Sequence, residues 1–147
     1  MIIQKAVSKD AKALYALEQE VFTSSNYPLS LHAFYYHIQK NLLLKAVDDG
    51  KIVGYILLFR IKKTLKIHSL AVIEEFRGQH IAQKLIEKAL GAYDDKKYNR
   101  MALEVRLDNV SAIKLYQKFG FVIKKELPSF YLDGSSAYYM YRSNVPA

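Results

Sequence analysis

Leu70-Ala71-Val72-Ile73-Glu74-Glu75-Phe76-Arg77-Gly78-Gln79-His80-Ile81-Ala82 runs from an apolar, β-rich stretch through a polar turn into a helical pattern. The strand side is the end of Leu65 to Ile73. The helix side is Ile81, Leu85 and Ala89, with Ala82, Ile86 and Leu90 beside them, a broad apolar face at helical spacing. A helix begun this way aims its first N–H groups, which have no intrahelical partner, and its positive dipole end back at the turn holding Arg77 and Gly78. The junction is a ready anion site of a kind that suits a pyrophosphate. A glycine and an arginine in such a connection also serve a plain turn, and the segment alone does not choose.

Moving toward the C-terminus, Met101 to Leu107 reads as a buried strand, and Asn109 to Phe119 as an amphipathic helix stopped by Gly120. Glu104 lies on that strand among apolar neighbours. Partial burial there disfavours the charged carboxylate and makes it a stronger base near neutral pH. Arg106, two residues on, shares its strand face, so an ordinary ion pair is the plain alternative. Tyr116 falls on the apolar face of the helix with Ala112, Ile113 and Phe119, where core packing with the hydroxyl at the rim is its default role. Phe121 to Leu127 and Ala137 to Arg142 read as closing strands around the Pro128 to Ser136 loop.

Toward the N-terminus, Leu42 to Val47 and Ile52 to Ile61 are β-rich runs flanking Asp48-Asp49-Gly50-Lys51, a strong hairpin signal. Before them, Ser30 can cap a helix whose apolar face is Leu31, Phe34, Tyr35 and Ile38. Met1 to Val7 is a short strand, and Ser8 is the cap candidate for a helix carrying Leu14, Leu17 and Val21. The order βααβββαβαββ predicts an α+β domain with a mixed, mostly antiparallel central sheet and helices on both faces.

With 147 residues, 51% of them hydrophobic and 24% charged, the chain can bury roughly 70% of its unfolded surface in one core, and disordered or repetitive classes are excluded. The absence of cysteine removes disulfides, thiolate nucleophiles and cysteine-based metal sites, and four scattered histidines argue against a catalytic zinc. No apolar run approaches the ~20 residues that cross a bilayer, and the N-terminus has no secretory pattern, so a cytoplasmic location is expected. Lys+Arg 22 against Asp+Glu 14 gives +8, which favours an anionic partner such as nucleic acid, a ribosome or a polyphosphate cofactor.

Taken together, these segments resemble the GNAT superfamily of acyl-CoA-dependent N-acetyltransferases. Arg77-Gly78-Gln79-His80-Ile81-Ala82 is similar to its acetyl-CoA loop, Gln/Arg-x-x-Gly-x-Gly/Ala, with His80 at the usual glycine position and its imidazole expected to point outward. Asn109, Ala112 and Tyr116 match the second cofactor element, Asn-x-x-Ala-x-x-x-Tyr. The resemblance covers nearly the whole chain, so residues 1–147 are expected to form a single N-acetyltransferase domain. It implies a V-shaped split between the Leu65 to Val72 and Met101 to Leu107 strands. Pantetheine would pair with the backbone of Leu70, Ala71 and Val72, and acetyl-CoA would be held by Arg77, Gly78, Gln79, His80, Ile81, Ala82, Asn109, Ser111 and Tyr116. Glu104 would be the base and Tyr116 the acid, with no metal required.

Within the superfamily the chain looks like the RimI branch, the ribosomal-protein-alanine N-acetyltransferases, through Leu103 to Arg106, Phe119-Gly120-Phe121 and the Phe130 to Gly134 tail. A Pro-Trp-Ser stretch of that branch stands here as Pro28-Leu29-Ser30, and its paired tyrosines as Phe130-Tyr131. That resemblance implies a protein N-terminus as acceptor, a small-subunit ribosomal protein being one option, gripped by Tyr27, Pro28, Leu29, Phe130 and Tyr131. It implies neither nucleic acid nor membrane as a required partner, and a monomer or weak dimer. A polyamine, aminoglycoside or lysine acceptor is the alternative, and a non-catalytic acyl-CoA or nucleic-acid-binding module is the remote one.

Overall fold

The computed structural model describes residues 1–22 and 28–144. In chain order the elements are β1 (Ile2–Lys5), α1 (Ala11–Val21), α2 (Leu31–Lys40), β2 (Leu42–Asp48), β3 (Lys51–Ile61), β4 (Thr64–Val72), α3 (Ile81–Gly91), β5 (Arg100–Arg106), α4 (Val110–Lys118), β6 (Val122–Leu127) and β7 (Ala137–Ser143), with single 3-10 turns at Ser8–Asp10 and Glu74–Phe76. The strands form one seven-stranded sheet in the order β1-β2-β3-β4-β5-β7-β6. Every pairing is antiparallel except β4 with β5, whose connection is the helix α3.

Local chemistry explains most element ends. Asp49 and Gly50 both take positive φ, 50° and 77°, which the two-residue turn between β2 and β3 requires. Ser30 starts α2 with its hydroxyl accepting from the Ala33 N–H at 3.1 Å, as the sequence predicts. Ser8 does not cap α1. A 3-10 turn intervenes, and Asp10 accepts from the Val7 N–H at 2.8 Å while gripping Lys45 of β2 at 2.7 Å. That buried pair fixes the start of α1 to the sheet in place of a local cap.

Alternation along β3 assigns the two layers. Tyr55 packs edge-on against Phe34 of α2 and bonds Glu18 of α1, whereas a Cβ on Gly54 would point at Ile81 of α3. Helices α1 and α2 therefore cover one face, over β2, β3 and β4, and α3 the other. Helix α4 lies beside α3, joined to it by Lys118 and Gln83 at 2.9 Å and to β7 by Arg142 on the Phe119 carbonyl. Leu14, Phe34, Tyr55 and Leu57 fill the first interface and Ile56, Leu58, Leu85 and Ile86 are fully buried with them.

Candidate active site

The pairing between β4 and β5 runs from Thr64–Arg100 only as far as Ile67–Leu103, although both strands continue. The cause sits in β4. Leu57 and Leu58 of β3 oppose Ser69 and Ile67, so His68 is an extra residue, a bulge that sharpens the twist and turns β4 away from β5. The split leaves a cleft of about 700 Å³, within the range of ligand sites. One of its walls is the unpaired edge of β4, and its mouth is the turn into α3.

At that turn Gly78 has φ +82° and open space where a Cβ would stand, and His80 has φ +62°. A left-handed backbone is the reason a glycine suits this position, and the histidine holds it at a cost of roughly 1–2 kcal/mol. Its imidazole is exposed at the rim of the cleft and makes no cap to α3, so the first N–H groups of the helix stay available. Arg77 donates from Nε to the Val72 carbonyl at 3.2 Å, fastening the turn to the end of β4. Across the cleft, Asn109 caps α4 by accepting from the Ala112 N–H at 3.2 Å, with Ser111 exposed beside it. An uncapped helix start, a side-chain-free glycine and Arg77 form a cradle that fits a polyphosphate such as that of acetyl-CoA.

Glu104 sits just past the last β4–β5 pair with its carboxylate lining the cleft. Its partner is Lys66 of β4, Nζ to Oε1 at 2.6 Å, and not Arg106. Arg106 instead meets Asp133 at 3.1 Å and lies over the Tyr131 ring at 4.2 Å. The ion pair of Lys66 with Glu104 spans the two strands at the point where they separate. Tyr116 lines the same cleft, 7% exposed and edge-on to Phe121. Burial, with a smaller contribution from Tyr131, pushes its hydroxyl far above the ordinary tyrosine range, so it keeps its proton.

Of the residues the sequence singles out, the cleft collects Leu70, Val72, Arg77, Gly78, His80, Ile81, Ala82, Glu104, Asn109, Ser111 and Tyr116, together with Pro28 and Tyr131. Ala71, Gln79, Leu29 and Phe130 do not line it. Ala71 alternates to the Tyr55 side of β4, and Phe130 packs edge-on against Tyr131 behind the wall. Tyr27 lies outside the described residues. Two residues were missed. Glu18, 1% exposed, lines the cleft while accepting from the Tyr55 hydroxyl at 2.5 Å and from the Leu29 N–H, which ties the Pro28 to Ser30 segment to the sheet; burial raises its carboxyl above the usual range. His68, on the bulge, stacks on Phe59, which stacks in turn on His37 of α2. Among the described residues, no group of three His, Asp or Glu side chains converges as a metal site.

A model of the acetyltransferase (GNAT) family matches residues 11–121. An uncharacterized N-acetyltransferase of Methanocaldococcus jannaschii is 37% identical over 148 residues, covering 100% of this chain and 94% of that protein. The N-alpha-acetyltransferase of Saccharolobus solfataricus is 33% identical, covering 80% of this chain and 78% of its own. The ribosomal-protein-S18-alanine N-acetyltransferase of Escherichia coli superposes with a TM-score of 0.86 over 99% of this chain and 95% of that one, at 23% identity, and so shares the fold. A parallel pair split at a bulge, a bare helix start facing the split, and a family match across three quarters of the residues agree: the chain belongs to the acetyltransferase (GNAT) family of acetyl-CoA-dependent enzymes.

Proposed function

We propose that this enzyme acetylates the N-terminal α-amine of a protein, with Glu104 taking the amine's proton and Tyr116 returning one to the departing thiolate. The observation that carries the reading is the placement of Glu104 and Tyr116 on one cleft, at the point where β4 and β5 part. Acetyl-CoA supplies the acyl group. The Arg77 to Ala82 turn and Asn109 would hold its phosphates, and the backbone of Leu70 and Val72 its pantetheine arm, as a partner strand would be held.

The acceptor class follows from the base. An α-amine, with a pKa of roughly 7.7–8.0, is about a tenth neutral at pH 7, whereas a lysine amine near 10.4 is neutral in well under one part per thousand. Glu104 is paired with Lys66, and an acceptor that needs little help in losing its proton, the former, matches that arrangement. Polyamines and aminoglycosides call for unpaired acidic groups, and the cleft's Glu18 and Glu104 are both engaged. The N-alpha activity named for the archaeal relative supports the same class. Alanine on a small-subunit ribosomal protein is the leading candidate within it, in keeping with the fold likeness and with Pro28 and Tyr131 at the cleft. We further propose a cytoplasmic monomer or weak dimer.

The test is a competition at pH 7 between a peptide with a free N-terminal alanine and the same peptide N-blocked but carrying a lysine. Mass spectrometry locates the acetyl group. Preferential α-acetylation is expected. Faster use of lysine or spermidine than of every free N-terminus would remove the acceptor assignment and leave acetyl transfer standing.

A further inference from the structure

The sheet face that bears Glu104 continues beyond it, across β5, β7 and β6, where α1 and α2 do not reach. Tyr139 is the cross-strand partner of Glu104, and Tyr141, the partner of Ala102, stacks beside it with ring centroids 6.3 Å apart. Three cations frame the pair. Arg100 lies over Tyr141 at 5.0 Å, Lys124 at 5.9 Å from the same ring, and Lys125 at 6.0 Å from Tyr139. Strand alternation would send Lys124 and Lys125 to opposite faces. A bulge between Ile123 and Lys125 places both against the tyrosines instead. All three cations are exposed, and none pairs with a carboxylate among the described residues.

We propose that this face is an exosite for an acidic segment of the acceptor polypeptide, lying a few residues behind the amine that is acetylated. The proposal rests on the N-terminal reading above and adds a substrate class to it. Continuity is the first argument: an extended acceptor with its amine at Glu104 has only one strand to cross, ~5 Å, to reach Tyr139, and a further ~7 Å to reach Tyr141. At ~3.3 Å per residue the cations come into range of side chains at about the fourth to sixth position. Charge is the second. On this face of β5, β6 and β7 the carboxylate among the described residues is Glu104, and Lys66 holds it, so the framing cations find no internal counter-charge. Arg100 lies over the Tyr141 ring with Lys124 near the same ring and Lys125 near Tyr139, so charge pairing beside the tyrosines is the means of recognition that this face offers.

The test uses two fluorescent peptides sharing an N-terminal Ala and the next three residues, one carrying Asp and Glu at positions 4 to 7 and the other Asn and Gln. Binding is read by anisotropy and α-acetylation by mass spectrometry, with the wild type and with a Lys124→Glu, Lys125→Glu double variant. The acidic peptide should show a KM and a Kd about tenfold lower than the neutral one at low salt, an advantage that disappears in ~0.5 M salt and in the double variant, with kcat and the neutral peptide's KM unchanged. Equal binding of the two peptides, or an acidic advantage that survives in the double variant, overturns the exosite. A single-stranded RNA oligomer that displaces the acidic peptide better than polyglutamate does also overturns it, in favour of a nucleic-acid surface. Charge-dependent binding with no α-acetylation of either peptide removes the N-terminal reading, and with it the exosite as an acceptor site.

Discussion

Glu104 and Lys66 meet because a parallel pairing lays β4 against β5, and their residues come together only through the crossover helix. The sequence offered Arg106 as the ion-pair alternative for Glu104, and the ion pair is made by Lys66 instead, because Arg106 is close along the chain whereas Lys66 is close only in the fold. Tyr116 presents a simpler case, since its helical spacing alone places it on the buried side of α4. Tyr116→Phe keeps the ring against Phe121 and removes the proton, so kcat should fall by about 10²-fold while acetyl-CoA affinity and the thermal midpoint stay near wild type; steady-state kinetics beside a melting curve checks this. His68 carries a pH effect on stability. Burial first, then the positive charges of Lys66 and His37, depress its pKa to about 4. Above about pH 6.5 the ring is neutral in folded and unfolded chains alike and its contribution is complete; as the pH falls from 6.5 toward 4 the unfolded chain gains a proton that the folded one refuses, and stability is lost. Between pH 7 and pH 5 that loss is about 2 kcal/mol. His68→Phe preserves stacking on Phe59 and should shrink the drop in urea midpoint over this interval by a corresponding amount; an unchanged drop would assign the pH effect to other groups.

At the scale of elements, what was legible were features written in adjacent residues. The Asp49-Gly50 turn and the Ser30 cap lie where local chemistry places them, and so does the strand, turn and helix around Arg77. The Ser8 cap failed because Asp10 reaches Lys45 of a distant strand, and no local pattern encodes that contact. The bulge at His68 was equally hidden, since a register shift exists only between two strands. Gly54 shows how tightly β3 and β4 are fitted next to the split. A Cβ there would lie 2.8 Å from the Ala71 carbonyl and 3.3 Å from Val72. Gly54→Ala must push β4 aside, which should cost about 1–3 kcal/mol in denaturant unfolding and also weaken acetyl-CoA binding, because the displaced stretch is the one whose free edge faces the cleft. A loss of stability with intact cofactor affinity would mean that this edge does not carry the pantetheine arm.

For the whole molecule, the opening of the sheet into a V links stability to ligand. A ligand that occupies the split binds the folded chain alone, so acetyl-CoA at 100 times its dissociation constant should add about 2.7 kcal/mol, raising the thermal midpoint by about 5–10 °C, as calorimetry can measure. His80→Gly relieves the left-handed backbone at the mouth of the cleft and should leave that shift at least as large; a much smaller shift would show that the imidazole itself holds the cofactor. The family was readable from two short motifs because phosphate binding depends on backbone N–H groups at fixed helix starts, which leave a trace in adjacent residues. The acceptor is far less readable, because its walls come from separate loops and strands. The central claim, that Glu104 removes the proton from an α-amine, is tested most directly by the pH dependence of kcat/KM for an N-terminal alanine peptide with wild type and Glu104→Gln. The account predicts a variant defect of about 10²-fold at pH 7 that narrows steadily toward pH 9.5, where the free amine is neutral without help. A defect of constant size across that range would contradict it.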